Sequence, residues 1–290
     1  MSPFTANGWS LGALNVLFQI SITSDTLSDH GGSQLKLDEN SRSEGAAQFR
    51  TTRWSVVLLS AQSQAPGSKA ALAELCKLYW FPLYAFVRRR GYCPADAQDL
   101  AQGFFLHLLD HKSLAEVDPR KGKFRSFLLA SIKNYLSKEA DRGRCLKRGG
   151  NIEFVLLDTK RAEDLYRLEP ADFLTAETIF DARWATTLLN EAMVRLGNEC
   201  AAQGKAATLQ ALEPFLDPSN VQVVPSYEQV ADQLQVSIGA VKTLIHRLRK
   251  QFGAILREEV ARTVSDPAEI NEEIHSLCEA LVASEGRLGP

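Results

Sequence analysis

Lys242, Thr243, His246, Arg247, Arg249 and Lys250 all stand off the apolar stripe that runs from Val241 to Phe252. Cations and hydroxyls gathered on one helical face bind phosphate and read base edges. Ser237, Gly239 and Ala240 lie just before them, and the two small residues would let a backbone come close to DNA. A second basic set comes earlier: Lys121, Lys123, Arg125, Lys133, Lys138 and Arg142, with Asn134 among them. Phe124, Phe127 and Tyr135 are interleaved with it. Aromatic rings among cations can stack unpaired bases, although Phe127 and Tyr135 also read as core residues. Catalytic patterns are missing: there is no Gly-x-x-x-x-Gly-Lys loop, no His-Glu-x-x-His and no Gly-x-Ser-x-Gly. His107 and His111 are spaced i, i+4, but no Cys or carboxylate stands at ligand spacing beside them, so neither metal nor cofactor is expected. Asp96 and Asp99 do not read as an acid–base pair. The expectation is a binding protein and not an enzyme.

These side chains need helices to position them. Ser226 and Gln229 form a capping box that starts one helix, whose buried side is Val230, Ala231 and Leu234. Gln235-Val236 makes the turn, and Ser237 caps the next helix. Val241, Leu244, Ile245, Leu248 and Phe252 then recur at helical spacing. Two short helices with a tight turn and a basic second helix describe a helix-turn-helix, although its turn lacks the glycine often found there.

Upstream, Lys69 to Arg90 repeats Leu72, Leu75, Leu78, Tyr79, Leu83 and Phe86 near the 3.6 period, with a kink or break expected at Pro82 and a stop at Gly91. Pro94 opens a second helix with Ala97, Leu100, Ala101, Phe104, Phe105 and Leu108 on one face. His111 to Gly122 reads as a loop. A third helix is expected from about Lys123 to Arg144, with Leu128, Ile132, Tyr135 and Leu136 on its apolar side. Residues 151–180 read as an acidic linker with one short helix, and the helical pattern returns at Ala182 with Trp184, Leu188, Leu189, Ala192 and Leu196. Apart from Ile152 to Leu157, no strand period appears. The fold class is all-α, as two small helical domains joined by the acidic linker. The boundaries are an extension over 1–48, a first domain over 49–148, the linker over 149–181, the helix-turn-helix domain over 182–262 and a tail over 263–290.

A chain of 290 residues with 45% apolar and 23% charged residues has a globular composition. Its net charge of −2 conceals a strong asymmetry. Residues 50–150 hold 18 basic and 8 acidic side chains, a surplus of 10 positive charges, whereas residues 151–224 hold 6 and 12. A local basic surplus of that size is the footprint a polyanion selects. The apolar run Leu11 to Ile22 is too short to span a membrane and lacks the flanks of a secretory signal. Five cysteines with no Cys-x-x-Cys spacing argue against a disulfide framework and for a reducing, cytoplasmic compartment.

Over residues 49–262 these motifs resemble extracytoplasmic-function sigma factors of the sigma-70 superfamily, in a branch met in planctomycete-like bacteria. The run Ser226 to Arg249 is similar to region 4, Asp96 to Leu109 to region 2.2, and Lys123 to Arg142 to regions 2.3 and 2.4. Phe49 to Ser55 and Leu78 to Arg90 resemble that divergent branch. The resemblance implies two partners, core RNA polymerase and promoter DNA. Asp96, Asp99, Leu100, Gln102 and Phe105 would dock on the β′ coiled coil. Lys121, Lys123, Phe124, Arg125, Lys133, Asn134, Lys138 and Arg142 would recognise and melt the minus-ten element. Ser237, Gly239, Ala240, Lys242, Thr243, His246, Arg247, Arg249 and Lys250 would meet the minus-thirty-five element, and region 4 would also bind the β flap of the polymerase. The acidic linker resembles the family's connector along the RNA path. Gly103 departs from the family, which usually has Glu there.

Two other readings stay open: a stand-alone helix-turn-helix regulator, and an inactive sigma-like decoy. Beyond the family pattern, Ile270, Ile274, Leu277 and Leu281 form a stripe on a helix started near Pro267, flanked by Glu269, Glu272, Glu273 and Glu279. This tail either extends the C-terminal core or folds back over the DNA or polymerase contacts, a form of autoinhibition that could replace a separate anti-sigma factor.

Overall fold

A computed structural model describes residues 68–109, 123–143, 162–164, 166, 174–216, 224–264 and 266–284. The described residues form helices and no strands, so the fold class is all-α. The N-terminal extension, the loop His111 to Gly122 and the strand expected at Ile152 to Leu157 lie outside the described residues.

Helix α1, Ser68–Arg89, runs through Pro82 without the expected break. Proline costs a helix one hydrogen bond and a clash, but here Pro82 and its neighbours Leu83 to Val87 are all buried. Packing on several sides holds the helix where local propensity alone would end it. Gly91, at φ +94°, stops the chain in a conformation that suits glycine. Helix α2, Pro94–Leu109, packs on α1, and α3, Phe124–Gly143, packs on α2.

Helix α4, Ala176–Ala202, starts six residues before the expected Ala182, because the Thr175 hydroxyl accepts from the Thr178 amide and caps it there. Ile179, Phe180 and Asp181, assigned to the linker by composition, are therefore helical. Fourteen of the 27 residues of this helix are buried, and it is the axis of the fold. Tyr79 of α1 stacks on Trp184 with ring centroids 4.2 Å apart, and Phe124 of α3 meets Tyr79 edge-on at 5.2 Å. Phe86 packs edge-on against Phe180.

Helix α5, Ala206–Leu212, and a single 3-10 turn, Glu213–Phe215, lead to α6, Tyr227–Leu234, and α7, Ile238–Ala261. Arg195 of α4 pairs with Glu258 at 2.6 Å and Glu259 at 3.3 Å, tying α7 to the axis. A short 3-10 turn at Pro267–Glu269 opens α8, Ile270–Ala283. Its Ile274, Leu277 and Leu281 are buried between α4 and α7, so the tail does extend the C-terminal core. One continuous apolar core joins α1 and α2 to α7 and α8 through α4.

Candidate nucleic-acid interface

The helix-turn-helix is α6 and α7. Both halves of the capping box form: the Ser226 hydroxyl accepts from the Gln229 amide at 3.2 Å, and the Gln229 side chain accepts from the Ser226 amide at 2.8 Å. Gln235 ends α6 at φ 54°, ψ 46°, the left-handed region where glycine is favoured. Its side chain donates to the Asp232 carbonyl at 2.7 Å, and the Val236 amide reaches back to the Ala231 carbonyl. The Ser237 hydroxyl accepts from the Ala240 amide and caps α7. A methyl on Gly239 would meet nothing closer than the Ser237 hydroxyl at 3.9 Å. No internal packing therefore requires a glycine there.

Val241, Ile245, Leu248 and Phe252 face the core, while Lys242, Thr243, His246, Arg247 and Lys250 are exposed. Lys242 Nζ sits 5.4 Å from the Tyr227 ring centroid, and that ring stacks on Phe215 at 5.5 Å. This arrangement fixes the lysine stem without using up its charge. Arg249 differs from the others. It is half-buried and donates to the Phe215 carbonyl at 2.8 Å, so it fastens α7 to the turn before α6 instead of standing on the open face.

On α2, Asp96 and Asp99 are exposed, and Leu100 and Gln102 are half-buried. Phe105 is 3% exposed. Its neighbour Phe104 is wholly buried, so the apolar arc of α2 is wide enough to take both rings inward. Gly103 has a packing role. A methyl added to it would lie 2.3 Å from the Tyr135 hydroxyl oxygen and 3.4 Å from that ring's Cζ. Tyr135 of α3 crosses α2 at this point, between Phe104 and His107.

On α3, Asn134 and Lys138 are exposed. Lys133 is partly committed to Glu177 of α4 at 2.8 Å, and this pairing holds the Glu177 carboxyl below its ordinary range. Arg142 lies in the last turn of α3, and Lys121 lies outside the described residues. Phe124 and Arg125 depart from the expectation of a surface contact, at 1% and 7% exposed. Phe124 fills the aromatic seam. Arg125 Nε and Nη2 fork onto Glu273 of α8 at 2.9 and 3.1 Å, and the guanidinium also pairs with Asp181 of α4. Burial works against the charge of Arg125, but its bonds to Glu273 and Asp181 outweigh that and leave it above its ordinary value. Burial likewise raises the Asp181 carboxyl, although Arg125 pulls the other way. The residue that sequence reasoning missed is Glu273, read as a flanking charge and found wholly buried.

The segment after α3 takes up more of the basic surplus. Glu163 accepts from Tyr84 and from Arg88 at 3.0 and 3.1 Å, and Arg89 donates to the Leu174 carbonyl at 2.9 Å. Among the described residues no group of three His, Cys, Asp or Glu is placed to hold a metal, and no helix is long and apolar enough to cross a membrane.

Residues 81–144 match the family model of sigma-70 region 2. No curated protein and no solved structure matches the chain. The matched stretch runs from the middle of α1 to the end of α3. The match likens this stretch, and not the whole chain, to sigma-70 region 2.

Proposed function

We propose that this chain is an extracytoplasmic-function sigma factor of the planctomycete-like branch, working in the cytoplasm. It binds core RNA polymerase and directs it to specific promoters. The observation that carries the reading is the region 2 match over residues 81–144, followed in the chain by a capped helix-turn-helix with an exposed basic face. Asp96, Asp99, Leu100 and Gln102 are the polymerase-docking residues on α2. Lys133, Asn134, Lys138 and Arg142 on α3, with Lys121 and Lys123 before it, meet the minus-ten element. Lys242, Thr243, His246, Arg247 and Lys250 on α7 meet the minus-thirty-five element, with Ser237, Gly239 and Ala240 lying against the backbone. Phosphate contacts from these cations supply salt-dependent affinity, and base contacts from a subset supply sequence preference.

The test is gel-shift binding to genomic fragments with and without core polymerase. The reading expects weak binding by the chain alone, and tight sequence-specific complexes only with polymerase. Tight specific binding to duplex DNA by the chain alone would replace this reading with that of a stand-alone helix-turn-helix regulator.

A further inference from the structure

Residues 123–125 open α3, and all three are held by segments from the other end of the chain. Lys123 Nζ pairs with Glu272 at 3.1 Å and Glu273 at 3.2 Å. The Phe124 amide donates to the Thr263 carbonyl at 3.2 Å. Arg125 forks onto Glu273 and also donates to the Ser276 hydroxyl at 3.2 Å. A carboxylate that takes a guanidinium in two parallel bonds occupies the geometry a phosphate would use. Glu272 and Glu273 are presented by α8, whose apolar stripe seats it on α4 and α7. The seat alone does not account for Glu273. A buried ion pair gives up hydration on both partners, and an apolar pair of similar size would hold the helix as well. The masking is also local: Asn134 and Lys138 on α3 and His246 and Arg247 on α7 remain exposed.

We infer that α8 is an intramolecular clamp, with Glu272 and Glu273 standing in for DNA phosphates on Lys123 and Arg125. Promoter DNA and α8 compete for the same cations, so α8 must release α3 before the polymerase-bound chain engages the minus-ten element. The inference rests on the promoter reading of Lys123 and extends it to Arg125, which α8 buries in this structure.

The test uses the full chain with the variants E272K and E272Q/E273Q. Glu272 is 76% exposed at its side chain, so E272K repels Lys123 without disturbing the core. Two readouts do not depend on any promoter. A carbodiimide links Lys123 to Glu272 only while they touch, and iodoacetamide reaches the half-buried Cys278 of α8 only when that helix lifts. In the wild type the link should form in the free chain and vanish in the promoter complex, where Cys278 should alkylate faster. The double variant should form promoter complexes between about 5-fold and 150-fold more readily than wild type, the usual span of a coupling between two sites. E272K should move in the same direction by less, which keeps the test valid if the double variant fails to fold. Persistence of the link in the promoter complex would overturn the clamp, as would equal promoter binding by folded variants and wild type. No promoter complex with any of the proteins would overturn the promoter reading and the clamp with it.

Discussion

Replacing Gly103 by Ala should destabilise the protein, although the same change in an ordinary helix interior stabilises it by about 1 kcal/mol. The new methyl would stand 2.3 Å from the Tyr135 hydroxyl oxygen, a distance that forces movement. That ring is packed between Phe104, at 5.8 Å between centroids, and His107, at 5.5 Å, so it cannot swing away freely. Overpacking of this kind costs about 1–3 kcal/mol. Set against the propensity gain, the net effect is a loss of up to about 2 kcal/mol. In a Tyr135→Phe background the clashing oxygen is gone, and the nearest ring carbon, at 3.4 Å, is in tolerable contact. There Gly103→Ala should stabilise by about 1 kcal/mol. Urea denaturation of the four proteins closes a double-mutant cycle, with an expected coupling of about 1–3 kcal/mol. A coupling below about 0.5 kcal/mol, the usual limit of additivity, would refute the claim that Tyr135 requires the glycine.

Arg247→Ala should weaken complexes by about 1–3 kcal/mol in a sequence-dependent way, measured by competition among promoter variants. Arg249→Ala should leave sequence preference alone and lower folding stability by about 1 kcal/mol, the worth of its bond to the Phe215 carbonyl. Gln235→Gly should raise the unfolding midpoint, because a left-handed residue other than glycine costs about 1–2 kcal/mol and glycine's own entropy returns only part of that. Burial pushes the Cys76 thiol up to about 12 and the Cys278 thiol to about 11, from an ordinary 9.0. Above pH 9 the unfolded chain loses these protons before the folded one does, so stability should fall from pH 9 towards 11, and Cys278→Ala should flatten the slope measured by urea titration.

The helices were legible because their signals are local. Ser226 and Gln229 cap each other across three residues, and the stripe from Val241 to Phe252 needs only the helical period. The tail helix was equally plain from Ile274, Leu277 and Leu281. What the sequence hid depends on partners far along the chain. Arg125 reads as a surface cation until α8 brings Glu273 to it, 148 residues away. Arg249 belongs to a basic run by spacing, and only the turn at Phe215 draws it inward. Pro82 reads as a helix breaker, yet the residues that follow it are buried on all sides and keep the helix intact. Gly103 reads only as a departure from the family pattern. Its reason lies on the facing helix, in the position of one hydroxyl group.

The central claim, that the chain gives core polymerase its promoter choice, is tested most directly by transcription. Core polymerase would be supplied with genomic DNA fragments, with and without the full chain, and the transcripts sequenced. The account predicts a small set of shared start sites that appear only with the chain, and their loss with Asp96→Arg/Asp99→Arg on α2. Start sites that do not change when the chain is added, or specific duplex binding that needs no polymerase, would contradict it.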